Sequence, residues 1–377
     1  MDQQTAQRLF EEGATLIFLN VPEGTEFGID YNTWAVGEHF KGVKMIPPGV
    51  HFVYYSAVNV REAQTAPRTG FFHNFKSREI LVKRWSQKDE DIADERYTDP
   101  EEIARYRDTL RDLDRFLGPY PYESFKKWLS LSNQINERVL EKLMPECGKI
   151  LSATQLESDE ATRTTADRAK IAESRKTDNP DGVLTAEMAE QQLPKMHQKS
   201  GTAIRFSAIP KSYPEGATPS EITKHSLDSS YALQTLIDTH YRDNPGDILG
   251  ELQFAFVCFL IGQVYDAFEQ WKQLVHLFCS AHDAIAQHPD VYSDFITLMY
   301  FQLREIPSDF FVDIVSCDNF LTENLREFFD NVKECSRASV ALKEKGVKFK
   351  RNLTRHFRWN FDVVADEEDD PVVVEMP

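Results

Sequence analysis

The spacing of apolar residues changes near residue 100 of this chain, and the position of that change limits the folds open to it. Over residues 15–85 apolar and β-branched residues come in short runs divided by turn residues, and beyond about residue 100 they recur every three or four positions. A chain that passes from a period of two to a period of 3.6 builds a β unit first and a helical unit after it. With 377 residues, two domains are expected.

Strands are expected over 15–21, 26–30, 43–46, 50–56, 70–75 and 80–85, all rich in β-branched or aromatic residues. Pro22-Glu23-Gly24 divides the first two, and Pro47-Pro48-Gly49 suits a type II turn, which predicts a hairpin. Alternation places Val50, Phe52 and Tyr54 on one face of a strand and His51, Val53 and Tyr55 on the other. Both faces being apolar, a sandwich fits better than an open sheet. Two helical stripes follow: Ile103, Tyr106, Leu110, Leu113 and Leu117, then Phe125, Trp128, Ser132, Ile135, Val139 and Leu143. Joined at Gly118-Pro119-Tyr120-Pro121, they are expected to pack as antiparallel helices on the sheets and complete a first domain, 1–150.

Between residues 151 and 200 the periodicity vanishes and polar residues gather around Asp178-Asn179-Pro180-Asp181-Gly182, the composition of a flexible linker. Its hydroxyls, Ser152, Ser158, Thr164 and Thr165 among them, are open to phosphorylation. A second domain, 201–361, opens with a strand-like run at 203–209 and continues in helices. Thr218-Pro219-Ser220-Glu221 is a capping box, and Asn244-Pro245-Gly246-Asp247 is expected to start the next helix in the same way. That helix, 249–261, is apolar on nearly every side and belongs at the centre of a core. Later stripes run through Val264, Phe268, Trp271, Val275 and Phe278 and through Val291, Phe295, Leu298 and Gln302, with further helices expected after Pro307, Thr322 and Gly346. A tail, 362–377, carries an acidic run at 366–370 and then Pro371, Val372, Val373, Val374 and Glu375, a short β segment with no sheet near it in sequence.

The chemistry is marked by what is missing. The chain carries neither a phosphate-cradling nor a dinucleotide-binding glycine motif, and no C-x-x-C, H-E-x-x-H or G-x-S-x-G. No cofactor, metal or catalytic residue is expected. His276, Cys279 and His282 come closest to a metal set, but on a helix the two histidines sit ~120° apart. A formal charge of −18 argues against non-specific attraction to nucleic acid. The exception is 343–358, where seven Lys or Arg meet one acid, Glu344; we read it as a solvated helix face that the acidic run could neutralise. Scattered Cys147, Cys258, Cys279, Cys317 and Cys335 resemble buried, reduced thiols. The longest apolar run, 254–261, is too short to span a bilayer, so a soluble protein outside the secretory route is expected. A β segment tethered by acidic residues can add itself to another protein's sheet edge, which makes a binding protein the leading expectation. An enzyme with an unrecognised site and an RNA binder acting through 343–358 are the alternatives.

Several long motifs, in order, resemble the AAR2 family of U5 snRNP assembly factors: GTEFGIDYNTW at Gly24, GVKMIPPGVHF at Gly42, LGPYPY at Leu117, PEGATPSEITKHS at Pro214, LGELQFAFVCFL at Leu249, EIPSDFFVDIVS at Glu305 and FRWNF at Phe357. The resemblance spans nearly all of both domains; 151–200 matches nothing and 86–100 little. It implies an α+β multidomain architecture, with an all-β sandwich-like N-terminal domain carrying two helices and an all-α C-terminal domain resembling VHS domains. It also implies a monomeric, non-enzymatic chaperone, cytoplasmic and also nuclear, working on U5 snRNP precursor proteins without reading nucleic acid or touching membranes. Its partner would be pre-mRNA-processing-splicing factor 8, bound through RNase H-like and Jab/MPN-like domains until phosphorylation signals release. The family tail maps onto Pro371, Val372, Val373, Val374 and Glu375 as an added strand. Phe27, Trp34 and Trp359, inside the motifs, are read as core.

Overall fold

The computed structural model describes residues 3–59, 64–93, 100–158, 196–306 and 315–361. These fall into two compact units: one takes the chain up to Tyr120, Leu140–Arg205 and Gly262–Val264, the other Pro121–Val139, Phe206–Ile261 and the chain from Tyr265 onward. Together they are an α+β architecture, a β unit and an all-helical unit. No helix among the described residues is long and apolar enough to cross a membrane.

In the first unit, α1 (Gln3–Glu12) leads into β1 (Ala14–Leu19), β2 (Glu26–Ile29), β3 (Asn32–Ala35), β4 (Gly42–Ile46), β5 (Gly49–Ser56), β6 (Val58–Asn59), β7 (Gln64–Thr65), β8 (Thr69–Phe75), β9 (Ile80–Ser86) and β10 (Asp91–Ile92). After α2 (Pro100–Asp108), α3 (Leu110–Leu113) and a 3-10 turn come β11 (Leu117–Pro119) and β12 (Ile150–Leu151). All six strands expected over residues 15–85 are present. One sheet runs β10-β9-β1-β4-β11 and the other β12-β8-β5-β2-β3. In the first, β1 is parallel to β9 and β4 to β11; the second is antiparallel throughout.

The two sheets close on each other through aromatic rings. Phe18 of β1 meets Phe27 of β2 at 5.8 Å, and Trp85 of β9 meets Tyr55 of β5 at 5.5 Å. Each ring fully withdrawn from water stabilises the fold by roughly 1.5–3 kcal/mol. As alternation required, β5 is buried on both faces from His51 to Ser56. The expected hairpin at Pro47-Pro48-Gly49 does not form, because β4 and β5 lie in different sheets. β4 pairs with β1, and β5 has β2 and β8 on its two sides, so the turn carries the chain between layers, with Gly49 at φ +133°.

The helical stripes divide in a way the spacing did not show. Ile103, Tyr106 and Leu113 cover Ile17, Ile80 and Val82 of the first sheet. Leu117, counted as the end of that stripe, is instead a strand residue paired with Gly42. The second stripe is interrupted, giving α4 (Tyr122–Ser132) and α5 (Glu137–Leu143), and α4 packs on helices of the second unit rather than on the sheets. The polar stretch expected as a linker has paired ends: β13 (Leu156–Ser158) and β14 (Met196–Gln198) form an antiparallel ribbon. Residues 159–195, with Thr164 and Thr165, lie outside the described residues.

The second unit adds α6 (Pro219–Leu227), α7 (Ser230–His240), α8 (Asp247–Leu260), α9 (Tyr265–Ser280), α10 (Ala284–Gln287), α11 (Pro289–Glu305), α12 (Val315–Glu334) and α13 (Val340–Phe357). The α6 capping box is complete: the Thr218 hydroxyl accepts from the Glu221 N–H and the Glu221 carboxylate accepts from the Thr218 N–H at 2.8 Å. At α8 the cap differs from the expectation, since the Asn244 amide donates to the Asp247 side chain (2.8 Å) and Gly246 holds the N-cap position. Residues Ile248 to Cys258 of α8 are all buried. The expected strand at 203–209 does not form; the segment is irregular and is held by side chains of helices. Thr322 and Gly346 lie inside α12 and α13 rather than at their starts. A Cβ on Gly346 would meet Val332 at 3.3 Å, so glycine there lets the two helices approach closely. The helix expected after Pro307 falls on 307–314, outside the described residues.

Candidate functional site

Pro371, Val372, Val373, Val374 and Glu375, the partner-binding residues expected from the sequence, lie outside the described residues. The structure assembles two enclosed polar networks that draw on the distinctive motifs, and a surface groove that lies outside them.

The first network joins three motifs of the β unit. Asp30, fully buried at φ +53°, accepts from the Phe52 N–H (2.9 Å), the Tyr120 hydroxyl (2.6 Å) and His51 Nδ1 (2.6 Å). His51 Nε2 faces the Pro47 carbonyl at 2.8 Å. A carbonyl only accepts, so Nε2 carries a hydrogen. An Asp-His-Tyr set is a familiar catalytic grouping, yet these side chains are enclosed: His51 is 1% exposed and Tyr120 3%. Substrate has no approach, and the network ties the turn after β2 to β5 and to the exit of β11.

The second network is in the helical unit. Glu251 of α8, with no exposed surface, accepts from the Ser207 N–H (2.8 Å), the Ser207 hydroxyl (2.7 Å), Gln270 of α9 (3.0 Å) and the Tyr241 hydroxyl. Burial, and then the Glu251 charge, push the Tyr241 phenol far above its usual range. Two residues on, the buried Gln253 accepts from the Gln134 N–H (2.7 Å) and donates to Asn133 (2.9 Å), holding the break between α4 and α5. The motif at Leu249 therefore encodes anchoring: a carboxylate and an amide secure two irregular segments to one buried helix.

Among the described residues one set of three metal-type ligands converges, Asp228, His282 and Asp283. Asp228 Oδ1 already accepts from the Ser230 N–H, the Ser230 hydroxyl and the His282 N–H, the work of a helix-start cap. His276 and Cys279 do not join it: His276 bonds to Asn324 at 2.7 Å and Cys279 is buried. The thiols divide, with Cys258, Cys279 and Cys335 buried and Cys147 exposed, so the expectation of buried cysteines fails at Cys147. It sits in a turn whose Cys147 N–H bonds to the Gly201 carbonyl (3.0 Å). The Cys317 side chain lies outside the described residues.

The groove lies between α11 and α13. Ile296, Tyr300, Phe301 and Phe349 line about 190 Å³, and Lys345 and Lys348 are also at its wall. Phe301 is 36% exposed. The basic segment seen in the sequence is α13 itself and the residue after it, and Lys348, Arg351 and Arg355 are exposed. Just beyond, Arg358 turns in the left-handed conformation (φ +60°), and Trp359 and Phe361 are buried, Phe361 against Phe329 at 5.1 Å. Of the three motif aromatics read as core, Phe27 and Trp359 are buried and Trp34 is half-buried, 5.6 Å from Phe27.

Comparison with known proteins matches residues 12–145 to the AAR2 N-terminal domain and residues 206–362 to the AAR2 C-terminal repeat region. The Protein AAR2 homolog of Homo sapiens is 48% identical over 383 residues, covering 100% of this chain and 97% of that one. Its counterpart in Caenorhabditis elegans is 39% identical over 94% of this chain and 96% of its own. The Saccharomyces cerevisiae A1 cistron-splicing factor AAR2 is 21% identical, covering 78% of each chain. Two matched domains in order, and relatives aligned end to end, establish that the chain belongs to the AAR2 family.

Proposed function

We propose that this protein is a non-enzymatic splicing factor that assembles the U5 small nuclear ribonucleoprotein. It acts as a monomer in the cytoplasm and also in the nucleus. Its partner is pre-mRNA-processing-splicing factor 8, gripped through the RNase H-like and Jab/MPN-like domains so that the RNA helicase is kept from the same place until phosphorylation releases the chain. The observation that carries this reading is similarity over the whole length to an AAR2 homolog, together with a more distant match over 78% of the chain to a relative that bears the name of a splicing factor. The mechanism is occupancy, and rigid surfaces serve it: buried anchors such as Glu251 and Asp30 keep each unit in one conformation without offering a reaction centre.

In this proposal Pro371, Val372, Val373, Val374 and Glu375 form a strand on the partner's sheet edge, where backbone hydrogen bonds supply affinity and alternate valines supply specificity. The test is a pull-down of processing factor 8 fragments with the full chain and with a chain lacking 370–377. Binding about tenfold weaker, roughly 1.4 kcal/mol, is expected on truncation. Undiminished binding defeats the tail's role, and failure of the full chain to bind defeats the partner.

A further inference from the structure

The helical unit also offers a place for the tail when no partner holds it. We propose that the acidic run 366–370 docks in cis along α13, with the valines after it seated in the groove between α11 and α13. The inference rests on the reading of the tail as a partner-binding strand and gives that strand an inhibited state.

Charge is the first argument. Residues 343–358 carry seven cations against Glu344, and residues 366–370 are five consecutive acids. Lys343 and Lys345 spend their ammonium groups on the Lys333 carbonyl (3.0 Å) and the Ser293 hydroxyl (2.9 Å). Lys348, Arg351 and Arg355 form no ion pair among the described residues, and each lies one turn of helix from the next. Together they make a basic stripe that ends at Arg355, six residues before Phe361, the last residue ahead of the tail.

Reach is the second. The tail starts after Phe361, pinned on Phe329. Lys345 lies thirteen residues before Arg358, roughly 20 Å back along a helix at 1.5 Å per residue. An extended chain covers up to roughly 43 Å between Phe361 and Val374 at 3.3 Å per residue, so the tail returns along α13 with slack. Composition is the third. The groove's apolar wall of Ile296, Tyr300, Phe301 and Phe349 lies beside the lysines, as the valines follow the acids in the tail. In an extended segment Val372 and Val374 share one face, leaving Val373 outward. Because the docked chain is tethered, a local concentration in the millimolar range makes even a weak contact populated.

A water-soluble carbodiimide, which joins a carboxylate to an amine only at contact distance, applied to the full chain followed by peptide mass spectrometry, tests the placement. Links from 366–370 to Lys348 are expected in the monomer, reduced at least about fivefold by 1 M salt or by R351E/R355E, which leaves the Lys348 amine in place, as screening of exposed charges requires. F301S, at an exposed position, should weaken the same links while leaving the circular dichroism unchanged. R351E/R355E should also bind processing factor 8 fragments a few-fold more tightly, the inhibited state being lost. Links spread evenly over lysines of the first unit, such as Lys41, overturn the proposal. So do links between isotopically distinct chains, which assign the groove to a second copy, or an RNA affinity with a steep salt slope that removing the tail leaves unchanged. Cross-linking needs no partner, so a negative pull-down sinks the proposed function without touching this placement, and the converse holds.

Discussion

Replacing Glu251 with alanine tests whether the buried carboxylate is an anchor. The substitution removes the acceptor of four donors: the Ser207 N–H and hydroxyl, the Tyr241 hydroxyl and the Gln270 amide. Some of these recover. Ser207 Oγ and the Tyr241 hydroxyl are already 3.1 Å apart and can bond to each other, and Gln270 keeps the Ser207 carbonyl at 3.0 Å. The Ser207 N–H does not recover; a buried donor left unpaired costs about 1–3 kcal/mol. The deleted side-chain atoms leave a void, adding roughly 1–2 kcal/mol. About 2–5 kcal/mol is therefore expected, a midpoint lowered by roughly 4–20 °C for a unit of this size. E251Q keeps an acceptor for the Ser207 N–H, and the two hydroxyls can rotate to accept from its amide, so about 1–2 kcal/mol is expected. Denaturant unfolding followed by circular dichroism and by tryptophan emission gives both numbers. If E251A lies within about 1 kcal/mol of the parent, or E251Q costs as much as E251A, the anchoring argument is wrong.

Two further outcomes follow from the packing and from titration. G250V should be among the most damaging single changes in the helical unit, because a Cβ at Gly250 already meets the Gln134 carbonyl at 2.6 Å and Val139 at 2.7 Å; G250A should cost less, and a soluble G250V with an unchanged midpoint refutes the close approach. His288 has its pKa lowered by burial, Asp238 opposing, and its ring bonds to Gln234 at 2.8 Å. The folded form therefore prefers the neutral ring: its contribution to stability is present above the unfolded value, about 6.5, and is lost as pH falls towards the lower folded one. H288N should flatten the fall in midpoint as pH drops below about 6.5, and parallel curves for both proteins would rule that contribution out.

Much of the fold was legible because local signals agreed with burial. The six longer strands announced themselves by composition, the α6 start by Thr218 and Glu221, and the centre of the second core by a helix with no polar side. Missed elements are those without a local signature. β10, β11 and β12 have two or three residues, too few for alternation to register, and exist because a longer neighbour offers an edge. Pro47-Pro48-Gly49 was read as a turn correctly but joins two layers, since pairing partners are chosen by the whole sheet. Glu251 and Gln253 were hidden within an apolar helix, where their partners, Ser207 and Gln134, lie more than 40 residues away along the chain. Asp228 went unnoticed beside His282 for the same reason. Within the sequence motifs, residues such as Asp30, His51 and Tyr120 proved to serve one another, not a substrate.

The short ribbon of β13 and β14 fixes both ends of whatever lies between them, Leu156 opposite Gln198 and Ser158 opposite Met196. Strand pairing at the base makes the excursion a closed hoop, so its length is uncoupled from the geometry of the body that carries it. Doubling such a hoop costs only about 0.6 kcal/mol of closure entropy. The number of residues between Ser158 and Met196 can therefore vary at little cost in closure while Leu156 stays opposite Gln198.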